Sequence, residues 1–134
     1  MRSIMVVTAL AVLVSSTGLA WSRAVAEDNG PFRVEKTGIG TVLADPNGMT
    51  LYTDDEDTPG KSACLGECAV NWPPMTAAAG AKAGGDYGLI TRDDGSLQWS
   101  DEGKPLYRFA KDRKPGDILG DVVPGWHAVK EDAD

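Results

Sequence analysis

Gly48-Met49-Thr50-Leu51-Tyr52, then four residues to Asp57 and on to Pro59-Gly60, recurs 55 positions later as Gly103-Lys104-Pro105-Leu106-Tyr107, then four residues to Asp112 and on to Pro115-Gly116. Each copy opens on a turn glycine, runs through an apolar residue and a tyrosine with strand-like alternation, and closes on Pro-Gly. Alternation places Tyr107 and Phe109 on one face and Leu106, Arg108 and Ala110 on the other, so the aromatic pair is expected to supply core. A tyrosine with an aspartate five residues on invites a buried hydroxyl-to-carboxylate hydrogen bond that pins strand to turn, since a buried phenol needs such a partner. A ligand site built from Tyr52, Asp57, Tyr107, Phe109, Asp112, Trp72 and Trp126 is the other reading of the same motif.

Outward from these copies, turn residues punctuate the chain every eight to twelve positions, and no apolar helical period lasts three turns. Asp45-Pro46-Asn47-Gly48 sets Pro where φ near −65° is wanted and Gly where φ is positive. It joins an expected strand at 41–44 to one at 49–54. Arg92-Asp93-Asp94-Gly95 and Ser100-Asp101-Glu102-Gly103 repeat that turn chemistry between strands expected at 89–91, 96–99 and 106–110. The spacing predicts a mostly β fold, a small antiparallel β-meander domain made of two related hairpin repeats, at about 38–74 and 87–129. Residues 64–72 suit one or two helical turns, stopped by Pro73-Pro74 and directing Trp72 and Cys68 to the core. The alanine- and glycine-rich stretch 75–85 reads as a mobile surface connection.

The amino terminus carries Arg2, an apolar run from Ile4 to Val14, a weakly polar break and the small-x-small sequence Ala24-Val25-Ala26 before Glu27. Charge, apolar run and small-residue site in that order predict a signal peptide at 1–26 and one mature domain at 27–134. Cleavage after Ala26 leaves 11 basic residues against 20 acidic ones, a net charge of about −9. Such a field opposes nucleic acid, whose recognition depends on Lys and Arg neutralising phosphates. No later segment has the length and hydropathy to span a membrane, so no stable insertion is expected after cleavage.

The two cysteines, Cys64 and Cys68, are an even count in an exported chain, which favours a disulfide in an oxidising compartment. So small a ring is worth about 2 kcal/mol. An exchanging dithiol is the alternative, disfavoured by Glu67 between the thiols, which would raise their pKa values.

For chemistry the chain offers little. The acidic run Asp54-Asp55-Glu56-Asp57 supplies the hard oxygens calcium prefers, without the ligand spacing of an EF-hand loop, and reads equally as a solvated turn. His127, the one histidine, could join Met49, Met75, Asp55 or Asp57 to hold copper, as thioether and imidazole do; the plainer reading is a histidine hydrogen-bonded in strand packing. No nucleophile elbow, phosphate-cradling loop or paired zinc ligands exist, and catalysis is not expected.

Leu51-Tyr52 through Asp57-Thr58-Pro59-Gly60-Lys61-Ser62-Ala63-Cys64, then Cys68-Ala69 and Trp72-Pro73-Pro74, with Gly103 to Tyr107, Asp112, Pro115-Gly116-Asp117 and Trp126-His127, resemble the bacterial family called the secreted repeat of unknown function. The family is described as predicted lipoproteins with a Tyr-x-aromatic-x-x-Asp motif. Here the full motif stands only in the second copy, because Asp54 replaces the aromatic in the first. No cysteine follows the signal region, so the mature protein is expected to be periplasmic or secreted and not lipid-anchored. Composition, motifs and resemblance together suggest a non-catalytic envelope module that binds a ligand or a protein, or has a structural role, with a metal or redox accessory as the alternative.

Overall fold

The computed structural model describes residues 30–131. The expected signal segment and its cleavage site lie outside the described residues. In chain order the elements are β1 Arg33–Thr37, β2 Gly40–Ala44, β3 Tyr52–Asp54, α1 Glu67–Asn71, β4 Thr76–Ala77, β5 Tyr87–Thr91, β6 Leu97–Asp101, β7 Lys104–Pro105, a single 3-10 turn at Leu119–Val122, and β8 Trp126–Ala128. Every strand pairing is antiparallel. The mostly β fold with a short helical turn beside a Cys64–Cys68 disulfide is therefore as the sequence predicts.

Each copy contributes one hairpin. In the first, β1 pairs with β2, Arg33 opposite Ala44 and Thr37 opposite Gly40, whose φ of 113° lets the chain reverse. In the second, β5 pairs with β6, Tyr87 opposite Asp101 and Thr91 opposite Leu97. The turn at Asp45 closes as expected, with Gly48 N–H donating to the Asp45 carbonyl at 2.9 Å and the Asp45 carboxylate accepting from the Asn47 and Met49 amides.

The two copies are joined by an exchange. The end of the second copy adds to the first hairpin, where the Leu43 amide donates to Val129 (2.8 Å), Val129 to Leu51 (3.0 Å) and Leu51 to Leu43 (3.0 Å). The end of the first copy adds to the second hairpin in the same manner: Trp99 donates to Met75 (2.9 Å), Met75 to Leu106 (2.9 Å) and Leu106 to Trp99 (3.0 Å). Likewise Asp55 N–H bonds the Gly125 carbonyl and Ala110 N–H bonds the Asn71 carbonyl, both at 2.9 Å. An approximate twofold axis thus passes between Tyr52 and Tyr107, whose backbones exchange both N–H···O bonds, at 2.8 and 3.0 Å.

Two buried clusters flank that pairing. Tyr52, Tyr107, Trp72, Trp126, Phe109, Cys64, Val42 and Ala128 make the first; Phe32, Leu43, Leu51, Met75, Trp99 and Leu106 make the second. Trp72 and Trp126, equivalent in the two copies, stack face to face with centroids 3.8 Å apart and planes 1° apart, while Phe109 stacks on Trp72 at 4.2 Å. The aromatic pair Tyr107 and Phe109 is core, as alternation predicts, and Leu106 on the opposite face is buried in the second cluster.

The stretch 75–85 departs from expectation at its start. Met75 is only 4% exposed and Thr76–Ala77 is a strand paired with β6, Thr76 opposite Gln98. Alanine and glycine give no periodicity there, and the strand exists because the other copy offers the edge of β6 that β5 leaves unpaired.

Candidate functional site

The tyrosine–aspartate motif forms its hydrogen bonds, but between copies. Tyr52 donates to Asp112 Oδ2 at 2.6 Å, and Tyr107 donates to Asp57 Oδ2 at 2.7 Å. The expectation of a bond within each copy is corrected: the strand carrying each tyrosine is paired with the other copy's tyrosine, which aims its hydroxyl at the other copy's turn. The second carboxylate oxygen of each aspartate accepts a backbone amide, Ala63 N–H at Asp57 (2.6 Å) and Leu119 N–H at Asp112 (2.9 Å). Burial first, and then the carboxylate partner, push the Tyr52 hydroxyl far above the usual phenol range. Tyr107 is raised as well, by burial first, while the Ser62 bond opposes the shift. Asp57 and Asp112 are raised by desolvation against the pull of those same bonds.

Around Tyr107 the sequence reading missed a buried polar network. Because the Tyr107 hydroxyl donates its hydrogen bond to Asp57, Ser62 Oγ donates to the phenol oxygen and accepts from Arg92 Nη1 at 3.0 Å. Arg92 is 7% exposed, and it also donates to Gln98 Oε1 (2.7 Å) and to the Cys64 carbonyl (2.8 Å). Gln98 in turn donates to the Leu106 carbonyl at 2.8 Å. A guanidinium fork satisfied on several sides ties the disulfide loop to β6. The stretch Arg92-Asp93-Asp94-Gly95 carries a turn signal, and nothing local distinguishes an arginine that folds inward. The equivalent position beneath Tyr52 is simpler: Gly120 N–H donates to the Tyr52 hydroxyl at 3.2 Å.

The candidate metal ligands do not converge. His127 Nε2 and Asp55 Oδ2 lie 2.8 Å apart, brought together because β3 and β8 pair with Thr53 opposite His127. Met75 is buried in the second cluster, Met49 bonds the Asp45 turn through its backbone amide, and Asp57 holds Tyr107 and Ala63. The acidic run likewise points three ways, with Asp54 accepting the Glu56 amide and Asp55 facing His127. Among the described residues, no group of three or more His, Cys, Asp or Glu side chains is placed to hold a metal ion.

What His127 and Asp55 do line is an open groove of about 510 Å³, running from the β3–β8 pair to the edge of β5 and the turn after β6. Its charged walls are Asp55, Asp86, Asp101, Glu102 and Glu131, with Lys104, Lys130 and His127. Asp101 is pushed up to about 6, first by burial and then by the negative charges of Glu131, Glu102 and Asp86, which Lys104 offsets only in part. Tyr87 on the same wall is raised to about 12, by burial first and then by the negative charges of Glu131, Asp101 and Asp86. The turn Ser100-Asp101-Glu102-Gly103 reads in sequence only as a turn, and its role as a groove wall follows from the strand ends it meets.

Comparison with known proteins agrees with the duplicated architecture. A family described as a secreted repeat of unknown function matches residues 34–76 and 88–130, one match per copy and together more than half of the chain. No curated protein and no solved structure matches. The family is designated a lipoprotein family, which corrects the expectation that the protein is not lipid-anchored. That expectation rested on one attachment chemistry, a thiol just behind the signal region, read from residues outside those the structure describes. Among the described residues, no helix is long and apolar enough to cross a membrane.

Proposed function

Since this chain belongs to the family of secreted repeats of unknown function, we propose that it works as a non-catalytic binding module of the cell envelope, taking a positively charged ligand into the groove beside Asp101. The groove itself supports this reading: five carboxylates against two lysines and His127 leave an excess of negative charge in a concave, water-accessible site. The scaffold beneath it is held by stacked tryptophans and exchanged strands, with Asp101 carried on β6, His127 on β8 and the other carboxylates on the segments that flank the strands. Calorimetric titration with spermine and with trilysine at low ionic strength tests the proposal. Binding is expected, weakening with added salt and lost in the double variant Asp86→Asn, Asp101→Asn with its circular dichroism unchanged. Absence of binding, or binding that the double variant leaves intact, overturns it.

A second reading, a metal or redox accessory, is favoured only by the Asp55–His127 contact and the partly buried Cys68. Copper or calcium retained after dialysis and lost on His127→Ala or Asp55→Ala, or thiols alkylated without reductant in freshly isolated protein, would favour it over the first.

A further inference from the structure

The exchange between the copies has the form of an intermolecular contact closed within one chain. Each copy's last strand completes the other copy's hairpin, and each copy's tyrosine is satisfied by the other's aspartate. Neither copy holds its own Tyr–Asp bond. The chain is committed to one partner copy rather than another only by the segment that connects the two, residues 78–86. We propose that the interface between the repeats is equally a docking surface for a second copy of this chain: two chains trading their second repeats reform every one of these contacts, and the length of the 78–86 crossover keeps the chain closed on itself.

The geometry of that crossover sets the expectation. Strands β4 and β5 lie on opposite sides of β6 and both run antiparallel to it, so they are parallel to each other. The connection leaves Ala77, opposite Leu97, and must return to Tyr87, opposite Asp101. That is about 13 Å along the strands and about 10 Å across two strand spacings, a straight span of about 16 Å before clearing the β6 side chains. Nine residues reach about 30 Å and close it easily. Deleting residues 79–84 leaves Ala78, Gly85 and Asp86, whose reach from Ala77 to Tyr87 of about 14 Å falls short. Closure within one chain then fails, while exchange between two chains needs only a short hinge. The segment removed contributes Ala81 to the core and the Gly84–Tyr87 backbone bridge, while the strand pairings and Tyr–Asp bonds between the repeats involve none of its residues.

The test uses the whole chain with residues 79–84 deleted, measured by light scattering across a concentration series with circular dichroism in parallel. Twice the chain mass with native-like spectra is expected. A folded monomer at all concentrations overturns the proposal. Should the deletion variant not fold, the second measurement decides: full-length Thr53→Cys and His127→Cys chains, distinguished by isotopic labelling, are unfolded and refolded together at millimolar concentration. Thr53 and His127 face each other across β3–β8, within disulfide reach for paired strands. Exchange yields a labelled–unlabelled disulfide between position 53 of one chain and position 127 of the other, with native-like spectra. Only uncrosslinked monomers would refute it.

Discussion

The exchanged Tyr–Asp bonds make a sharp prediction about which residues are energetically coupled. Removing the Tyr52 hydroxyl breaks a 2.6 Å bond to Asp112, a carboxylate only 7% exposed, and strips the Gly120 amide of its acceptor. A hydrogen bond to a charged group contributes about 1.5–3 kcal/mol, and Asp112 keeps Leu119 as its remaining partner, so Tyr52→Phe is expected to cost about 2–3 kcal/mol. With a urea m-value of about 1–2 kcal/mol/M for a domain this size, the midpoint falls by about 1–3 M. Asp112→Asn removes the same charged bond, and combining the two changes should cost less than their sum by about 1–2 kcal/mol. The discriminating measurement is the second cycle. Tyr52→Phe with Asp57→Asn joins residues of one copy whose side-chain groups share no hydrogen-bond partner, the hydroxyl meeting Asp112 and Gly120 and the carboxylate Tyr107 and Ala63, so their costs should add within about 0.5 kcal/mol. Coupling of Tyr52 to Asp57 rather than to Asp112 would refute the exchange, and with it the placement of the twofold axis.

Other outcomes follow from single positions. A methyl at Gly120 would stand 2.8 Å from both the Trp72 and Tyr52 rings, so Gly120→Ala is expected to lower stability by about 1–3 kcal/mol in thermal unfolding, whereas the same change at Gly38, with open space around it, should be nearly silent. For Asp101, whose folded pKa of about 6 lies above its ordinary 3.8, the folded state binds the extra proton. Its contribution to stability is therefore complete below pH 3.8 and lost as pH rises through 6, so Asp101→Asn should raise the melting temperature at pH 7–8 and leave it unchanged near pH 3, as scanning calorimetry across pH would show. Replacing both Cys64 and Cys68 by alanine is expected to cost about 2 kcal/mol in urea unfolding while the fold persists. The second copy supports that expectation, since it builds the equivalent loop with a 3-10 turn and Gly120 in place of a disulfide.

Much of this protein was legible in its residues because the signals are local. Glycines at positive φ, as at Gly48 and Gly103, force turns wherever they stand, and strand alternation sends Tyr107 and Phe109 inward regardless of what they meet. Two cysteines four apart in an exported chain have only each other, and a motif recurring after 55 residues announces a duplication. None of this carries information about partners distant along the chain. Tyr52 stands five residues from one aspartate and sixty from another, and it is the strand pairing of the two copies that gives it the distant one. The same pairing turned Thr76–Ala77 into a strand, folded Arg92 onto Ser62 and Cys64, and gathered carboxylates from separate turns into one groove. Periodicity and turn chemistry decide what each segment becomes; which copy's strand fills an open sheet edge is decided by backbone hydrogen bonds that only the assembled fold can complete.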